Sequence, residues 1–352
     1  LIQAPPFPLS IEGIDASFLS GALEREIHGF QSERIGEDRG MLGEIYKLTL
    51  DVDDAGPSSI VAKFASQREQ SLDSAKRGGT HERELRCYDE LLSLTPIATP
   101  DLYACWYDGQ SAEYLILQEL IDFDESIDQI NGISIPEAKL VIQEIAGLHA
   151  FWWKNQALED LPWLPRLDDN RRRTNLPTVT RLGWESLRNV LSEQELDPPS
   201  VSADALAGKI DNLLCTISDN ERTLVHSDLR ADNLLFSQTG DSVVIVDWQG
   251  CCTAPPVFDL TYFLIQSLTI DDRRENEEKL LDYYAQALSN RGVRLAKDVI
   301  YEIYTGSILY GLAIACAIPL INEIKVPRVR DLATSMASRS LAGLSDHGIS
   351  LL

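Results

Sequence analysis

Four polar side chains, His226, Asp228, Asp232 and Asn233, interrupt the run LVHSDLRADNLLF, and Asp247 closes the next apolar segment, SVVIVD. Inside a strand each would cost free energy unless it were hydrogen-bonded or put to use. Asp228 and Asn233 stand five positions apart on a short loop, and Asp247 follows a second strand. Carboxylate and amide oxygens brought together at strand ends suit a hard cation such as Mg2+. A carboxylate outside that shell can take the proton of a hydroxyl, and phosphoryl transfer from a nucleotide needs both functions plus a cation on the phosphates. Lys63, in the apolar strand IVAKF, offers that cation, because a lone inward ammonium requires a partner. Plainer readings stay open for single residues. SDLRADN can be a polar turn with Asp and Asn chosen for geometry, and Lys63 can face water from an edge strand. The ordered set of His226, Asp228, Asn233, Asp247 and Asp259 over 34 positions weighs against the plain reading for the group.

For these residues to meet, particular elements must carry them. From residue 41, MLGEIYKLTLDV and SSIVAKFAS read as strands joined by the turn-forming DDAGPSS. THERELRCYDELLSL reads as a helix with Thr80 at its N-cap and acids in its first turn. DLYACWYD and AEYLILQELI are two further strands around DGQS, so residues 1–121 are expected to form a small sheet with one helix. Beyond Ile121 the pattern turns helical: SIPEAKLVIQEIAGLHAFWW starts at Ser134 and Pro136, and ADALAGKIDNLLCTI follows. Residues 155–200, rich in Arg, Pro, Asn and Asp, predict a long irregular excursion with one helix near TRLGWESLRNVL. From Asp259 onward nearly everything reads as helix. The fold class expected is α+β, with a β-rich N-lobe over 1–121 and a mainly helical C-lobe over 122–352 that holds an island of strands around 224–248. His149, Phe151, Trp152 and Trp153 in LHAFWW read as core packing, with an apolar substrate pocket as the alternative. Gly36, Gly40 and Gly43 precede a strand, where their amides either approach phosphates or make an ordinary turn. They do not form GxGxxG, and GxxxxGK[ST] does not occur.

Composition bounds the function. A chain of 352 residues with 44% hydrophobic and 24% charged residues has room for a buried cleft and should fold. Its net charge of −24 disfavours nucleic acid and anionic membrane as partners; it would attract a cationic substrate or simply keep the surface soluble. Six cysteines show no CxxC pair and no zinc-type spacing with His, which predicts reduced thiols and a cytoplasmic protein. LIQAPPFPLS lacks a basic region followed by an apolar one, so no secretion signal is expected. Residues 303–322 are uncharged and long enough to cross a bilayer, but they contain two glycines, Thr305, Ser307 and Pro319 and lack flanking Lys or Arg clusters. They read as a core helix.

The spacing His226-x-Asp228-x-x-x-x-Asn233, with Asp247 after a strand, resembles the kinase catalytic loop and metal-binding aspartate. HSDLRADNLLF with VDWQG and PPVFDLTYFL is similar to the aminoglycoside phosphotransferase and choline kinase superfamily, and within it to the ecdysteroid-kinase-like branch. Trp248 and Gln249 stand where protein kinases have Phe and Gly, and no Ala-Pro-Glu segment follows, which favours a small-molecule kinase. The resemblance implies a two-lobe protein-kinase-like fold, ATP as co-substrate, Mg2+, and a small-molecule hydroxyl as acceptor. It makes Asp228 the base and Asn233 and Asp247 the metal ligands. Arg230 would touch the transferring phosphate, His226 would order the loop, and Asp259 would brace it. It gives Lys63 an acid on the next helix, Glu84 in ELRCY, with Glu82 as competitor, and it places adenine against main-chain groups of Gln118, Glu119 and Leu120. The rival reading is a catalytically silent kinase-fold protein that binds nucleotide as a scaffold.

Overall fold

Apolar residues alternate along YKLTL and run almost unbroken through IVAKFA, and both segments are strands of one sheet. The computed structural model describes residues 2–36, 43–124, 127–321 and 326–351. Its chain forms two compact units, Leu1–Asp122 with Val244–Gly250, and Phe123–Val243 with Cys251–Leu352. The segment carrying Asp247, expected in the second lobe, is thus counted with the first unit.

In the first unit the strands are β1 (Ile2–Gln3), β2 (Gly29–Ile35), β3 (Gly43–Asp51), β4 (Ser59–Ala65), β5 (Leu102–Tyr107) and β6 (Tyr114–Glu119). They form a six-stranded sheet in the order β1-β5-β6-β4-β3-β2, antiparallel except for the parallel pair β1 and β5. The helices are α1 (Ala16–Leu23), α2 (Glu69–Gly78) and α3 (Thr80–Arg86), where the sequence predicted one. The period of two along β4 sends Ile60, Ala62 and Phe64 to one face, where they join Leu19, Leu48, Leu115 and Leu117 in a core. Lys63 and Ala65 take the other face, where Leu85 of α3 packs with Tyr114 and Ile116. Each large apolar side chain buried in this way contributes about 2 kcal/mol. Thr80 is not an N-cap: Gly79, at φ +61°, breaks α2 from α3, and the Thr80 side chain makes no cap hydrogen bond. Only glycine enters that left-handed turn without strain.

In the second unit the helices are α4 (Ile135–Phe151), α5 (Gln156–Glu159), α6 (Asn170–Glu193), α7 (Ala203–Ser218), α8 (Val257–Ser267), α9 (Ile270–Asn290), α10 (Lys297–Ser307), α11 (Leu309–Ile321) and α12 (Pro327–Asp346). Helix α4 starts as the sequence predicts, with Ser134 and Glu137 in a reciprocal capping box and Pro136 in the first turn. The helix expected near TRLGWESLRNVL is present as the later part of α6, but α6 runs for 24 residues, Asn170–Glu193, through Pro177, and replaces much of the irregular excursion expected over 155–200. Four short strands supply the island: β7 (Thr223–Val225), β8 (Leu234–Phe236), β9 (Val243–Ile245) and β10 (Cys252–Ala254). The apolar stretch from 303 runs through α10 and α11, which adjoin at Ile308 in right-handed helical conformation, and 67% of the most apolar window within Lys297–Leu320 is buried. Its last residue, Asn322, lies outside the described residues.

Candidate active site

β7 pairs antiparallel with β10, Val225 opposite Cys252, and the polar loop leaves the end of β7. Asp259, in the first turn of α8, accepts the backbone N–H of His226 at 2.6 Å and of Ser227 at 2.7 Å. A fully buried carboxylate is costly unless donors meet it, and two amides plus His149 Nε2 at 3.4 Å do so here. His149 Nδ1 lies 2.7 Å from the Tyr284 hydroxyl, so the histidine of LHAFWW braces this aspartate, while Phe151 is 46% exposed. Ser227 has φ +66°, a strained left-handed conformation for a residue other than glycine, and its N–H is held by Asp259.

The next residue is Asp228. Its N–H donates to His226 Nδ1 at 3.2 Å, and its carboxylate accepts from the Tyr262 hydroxyl at 3.0 Å and Asn233 Nδ2 at 3.2 Å. Arg230 Nε lies 3.4 Å away, while Arg230 Nη1 donates to Asp232 at 2.7 Å. Burial opposes the Arg230 charge, yet Asp228 and Asp232 hold its pKa above the ordinary value. Arg230 was expected on the transferring phosphate; in this structure its guanidinium is held by the two carboxylates of its own loop, and it is 3% exposed. Asn233 Nδ2 also donates to the Asp228 carbonyl at 2.8 Å. Its amide nitrogen is therefore committed, which leaves the carbonyl-type oxygen as the atom suited to a hard cation.

In the first unit, Lys63 Nζ lies 2.6 Å from Glu84 Oε1 and 3.2 Å from Asp247 Oδ1. Glu84, not Glu82, is the partner: Glu82 pairs with Arg86 at 2.9 Å. Burial works against the Lys63 charge, but Asp247 and Glu84 more than offset it and hold the pKa well above that of a free lysine. Asp247 has φ +67°, and its carboxylate also accepts from Gln249 Nε2 at 3.2 Å. Arg83 fixes the same turn, donating to the Gln249 carbonyl at 2.9 Å, while Trp248 is fully buried. A carboxylate presented by a strained turn beside an ammonium fits an oxygen ligand for Mg2+, and the lysine fits phosphate oxygens. Gly43 opens β3, where a Cβ would stand 2.8 Å from the Phe64 carbonyl and 3.7 Å from the Lys63 stem. Gly40 lies outside the described residues. At the expected hinge, the Glu119 N–H donates to the Asp101 carbonyl at 2.9 Å, and Gln118 stands in the sheet opposite Val61 and Leu102.

Several side chains at the loop were not singled out from sequence. Tyr262 follows Asp259 by three positions on α8, a spacing that puts both on one helix face, and that signal could have found it. Tyr310, whose hydroxyl reaches the Ser227 carbonyl at 3.3 Å, and Arg172, which donates to Ser227 Oγ at 3.2 Å, come from α11 and α6 and leave no local signal.

Comparison with known proteins agrees with the resemblance in the motif. Residues 38–296 match the model of the ecdysteroid kinase-like family. A stretch of 171 residues is 24% identical to acyl-CoA dehydrogenase family member 11 of Gallus gallus, which is 47% of this chain and 20% of that protein. The chain therefore spans a minor part of the curated relative it matches. Ethanolamine kinase from Plasmodium vivax superposes with a TM-score of 0.55 at 12% identity, over 91% of this chain and 85% of that one. Choline kinase LicA from Streptococcus pneumoniae gives 0.52 at 16%, over 94% and 97%. Amicoumacin kinase hAmiN, solved in complex with AMP-PNP, Ca2+ and Ami, gives 0.53 at 14%, over 92% of each chain. At these identities the likeness is one of fold: a β-sheet N-terminal region and a helical C-terminal region, as in small-molecule kinases.

Proposed function

The chain belongs to the ecdysteroid kinase-like family, and on that premise we propose that it is an ATP-dependent phosphotransferase that moves the γ-phosphoryl group to a hydroxyl of a small molecule. The observation that carries the reading is the pairing of Lys63 with both Glu84 and Asp247, residues 21 and 184 positions away in the chain. A buried ammonium held by two acids is a phosphate clamp in waiting, and a structural role alone would not require it at a strained Asp247.

In the proposed reaction the acceptor hydroxyl oxygen attacks the γ-phosphorus in line. The bond from that phosphorus to the bridging oxygen breaks, ADP leaves, and the hydroxyl proton passes to the Asp228 carboxylate. Tyr262 and Asn233 hold that carboxylate in place by donating to it, so the residue contributes mainly by positioning. Lys63 stabilises charge on the phosphates. The motif assigns Mg2+ to Asn233 and Asp247, and such a cation would neutralise the charge that builds up in transfer. The acceptor class is an aminoglycoside-, choline- or steroid-like alcohol. Six free cysteines, five of them buried, support a cytoplasmic setting for the proposal, and the charge of −24 directs it away from nucleic acid and anionic membrane.

The test is a library of small-molecule alcohols screened with Mg·ATP for the mass gain of one phosphoryl group. Asp228→Asn should cut turnover of any hit by at least about 100-fold while Mg·ATP still raises the melting temperature. A variant that turns over normally would remove Asp228 from the mechanism. Nucleotide binding with no transfer across the library would identify a silent scaffold instead.

A further inference from the structure

Helix α12 lies wholly beyond residues 38–296, the part that matches the family. Yet it holds the segment 128–130 at two points. Near its start, Arg328 Nη1 donates to Asp128 Oδ2 at 2.5 Å, and Arg328 Nη2 lies 3.7 Å from Asp232 Oδ1. Eleven residues on, Arg339 donates from Nη1 to the carbonyls of Gln129 at 2.7 Å and Gln266 at 2.6 Å, and from Nη2 to that of Ile130 at 3.0 Å. Arg339 is 5% exposed, and burial pulls its pKa down to about 10 against the opposing pull of Asp128 and Asp232. A planar guanidinium serves three fixed carbonyls at once, which an ammonium cannot do in the same geometry.

The held segment in turn holds the catalytic loop. The Gln129 N–H donates to Asp232 Oδ1 at 3.2 Å, and Asp232 Oδ2 takes Arg230 at 2.7 Å. Arg230 Nε then lies 3.4 Å from the Asp228 carboxylate. Asp232 is 2% exposed at its side chain, so every donor it loses leaves charge uncompensated in the interior.

We propose that Arg328 and Arg339 are positioning residues for Asp228: α12 anchors the segment 128–130, that segment fixes Asp232, and Asp232 with Arg230 fixes the base. The inference rests on the phosphotransferase reading above. Loss of either arginine lets the base wander, which costs transfer far more than nucleotide affinity, because the Lys63 clamp belongs to the other unit.

The experiment compares Arg328→Met, Arg328→Lys and Arg339→Lys with Arg273→Met. Arg273 is buried and pairs with Glu277 and with Asp346 at the far end of α12, so its loss weakens the same helix without touching the segment 128–130. Each variant is measured for melting temperature, for Mg·ATP turnover, and for hydrogen exchange in peptides covering 128–134 and 226–236. Arg328→Met and Arg339→Lys should lower kcat by on the order of 10- to 100-fold with nucleotide KM changed less than about twofold, and should speed exchange in both peptides. Arg328→Lys, which keeps a cation for Asp128, should recover most of the turnover. Arg273→Met should leave exchange in 226–236 as in the wild type. The proposal is overturned if Arg328→Met and Arg339→Lys exchange and turn over like the wild type, or if Arg273→Met loses kcat and protection to the same degree. A wild type that never turns over Mg·ATP would defeat the phosphotransferase reading, while the exchange comparison still decides whether α12 holds the loop.

Discussion

His81 stands one turn before Glu84 on α3 and is 2% exposed. Its Nδ1 lies 2.7 Å from the Ala112 carbonyl, which can only accept, so Nδ1 carries the proton, and the buried Nε2 has no hydrogen-bond partner among the described residues. The ring lies tilted at 41° against that of Tyr114, with centroids 4.3 Å apart. Burial pushes its pKa down to about 4 from 6.5, the Ala112 carbonyl opposes that, and the Lys63 charge adds to it. The folded state therefore takes up this proton later than the unfolded chain as pH falls. The stabilisation is complete above pH 6.5 and is lost as pH drops toward about 4, a change of about 3 kcal/mol. Wild-type protein should accordingly lose more stability across that window than His81→Gln, which cannot titrate, as measured by chemical denaturation. Parallel losses in the two proteins would show that His81 is not the group. At this scale the motif residues could be read because they are close in sequence. The roles of His81, His149 and Tyr310 could not, since each is defined by a partner on another element.

Among the elements, the first part of α6 shows where pattern reading failed, since a helix was expected only near TRLGWESLRNVL. Its start, NRRRTNLPTV, is polar, places arginines where the helix dipole disfavours cations, and contains a proline. The structure overrides all three. Asp169 caps the helix through the Arg172 N–H, Arg173 forms a two-bonded pair with Asp211, and Pro177, Thr180, Gly183 and Trp184 are buried. The β2 strand was missed for a related reason: GFQSERI is an edge strand with four exposed central residues and no alternation to read. Gly183 marks a close approach of two helices, since a Cβ there would fall 1.8 Å from the Cys316 carbonyl oxygen of α11. Gly183→Ala must push the two helices apart and should cost about 2–3 kcal/mol, seen as a lower denaturation midpoint with little change in slope. An unchanged midpoint would mean that the two helices can accommodate a methyl group at this crossing.

Across the whole molecule, 55 acidic residues face 31 Lys and Arg. Surface ion pairs such as Arg173 with Asp211 use up some acids, but the remaining charge repels itself and opposes folding. Adding salt shortens the screening length from about 30 Å at 0.01 M to about 8 Å at 0.15 M, so the melting temperature should rise over that range. A flat or falling curve would show that attractive pairs outweigh the net repulsion. The sequence by itself determined the α+β class, the strands around Lys63, the capped start of α4 and the resemblance to the ecdysteroid kinase-like family, because period, capping and motif spacing act over a few residues. Only the tertiary structure decided that Glu84 and not Glu82 meets Lys63, that Arg230 is held by its own loop, and that α12 reaches the segment beside Asp232. Those outcomes depend on which side chains distant stretches of chain bring within a few ångströms of a buried charge, and that depends on packing as well as on local pattern.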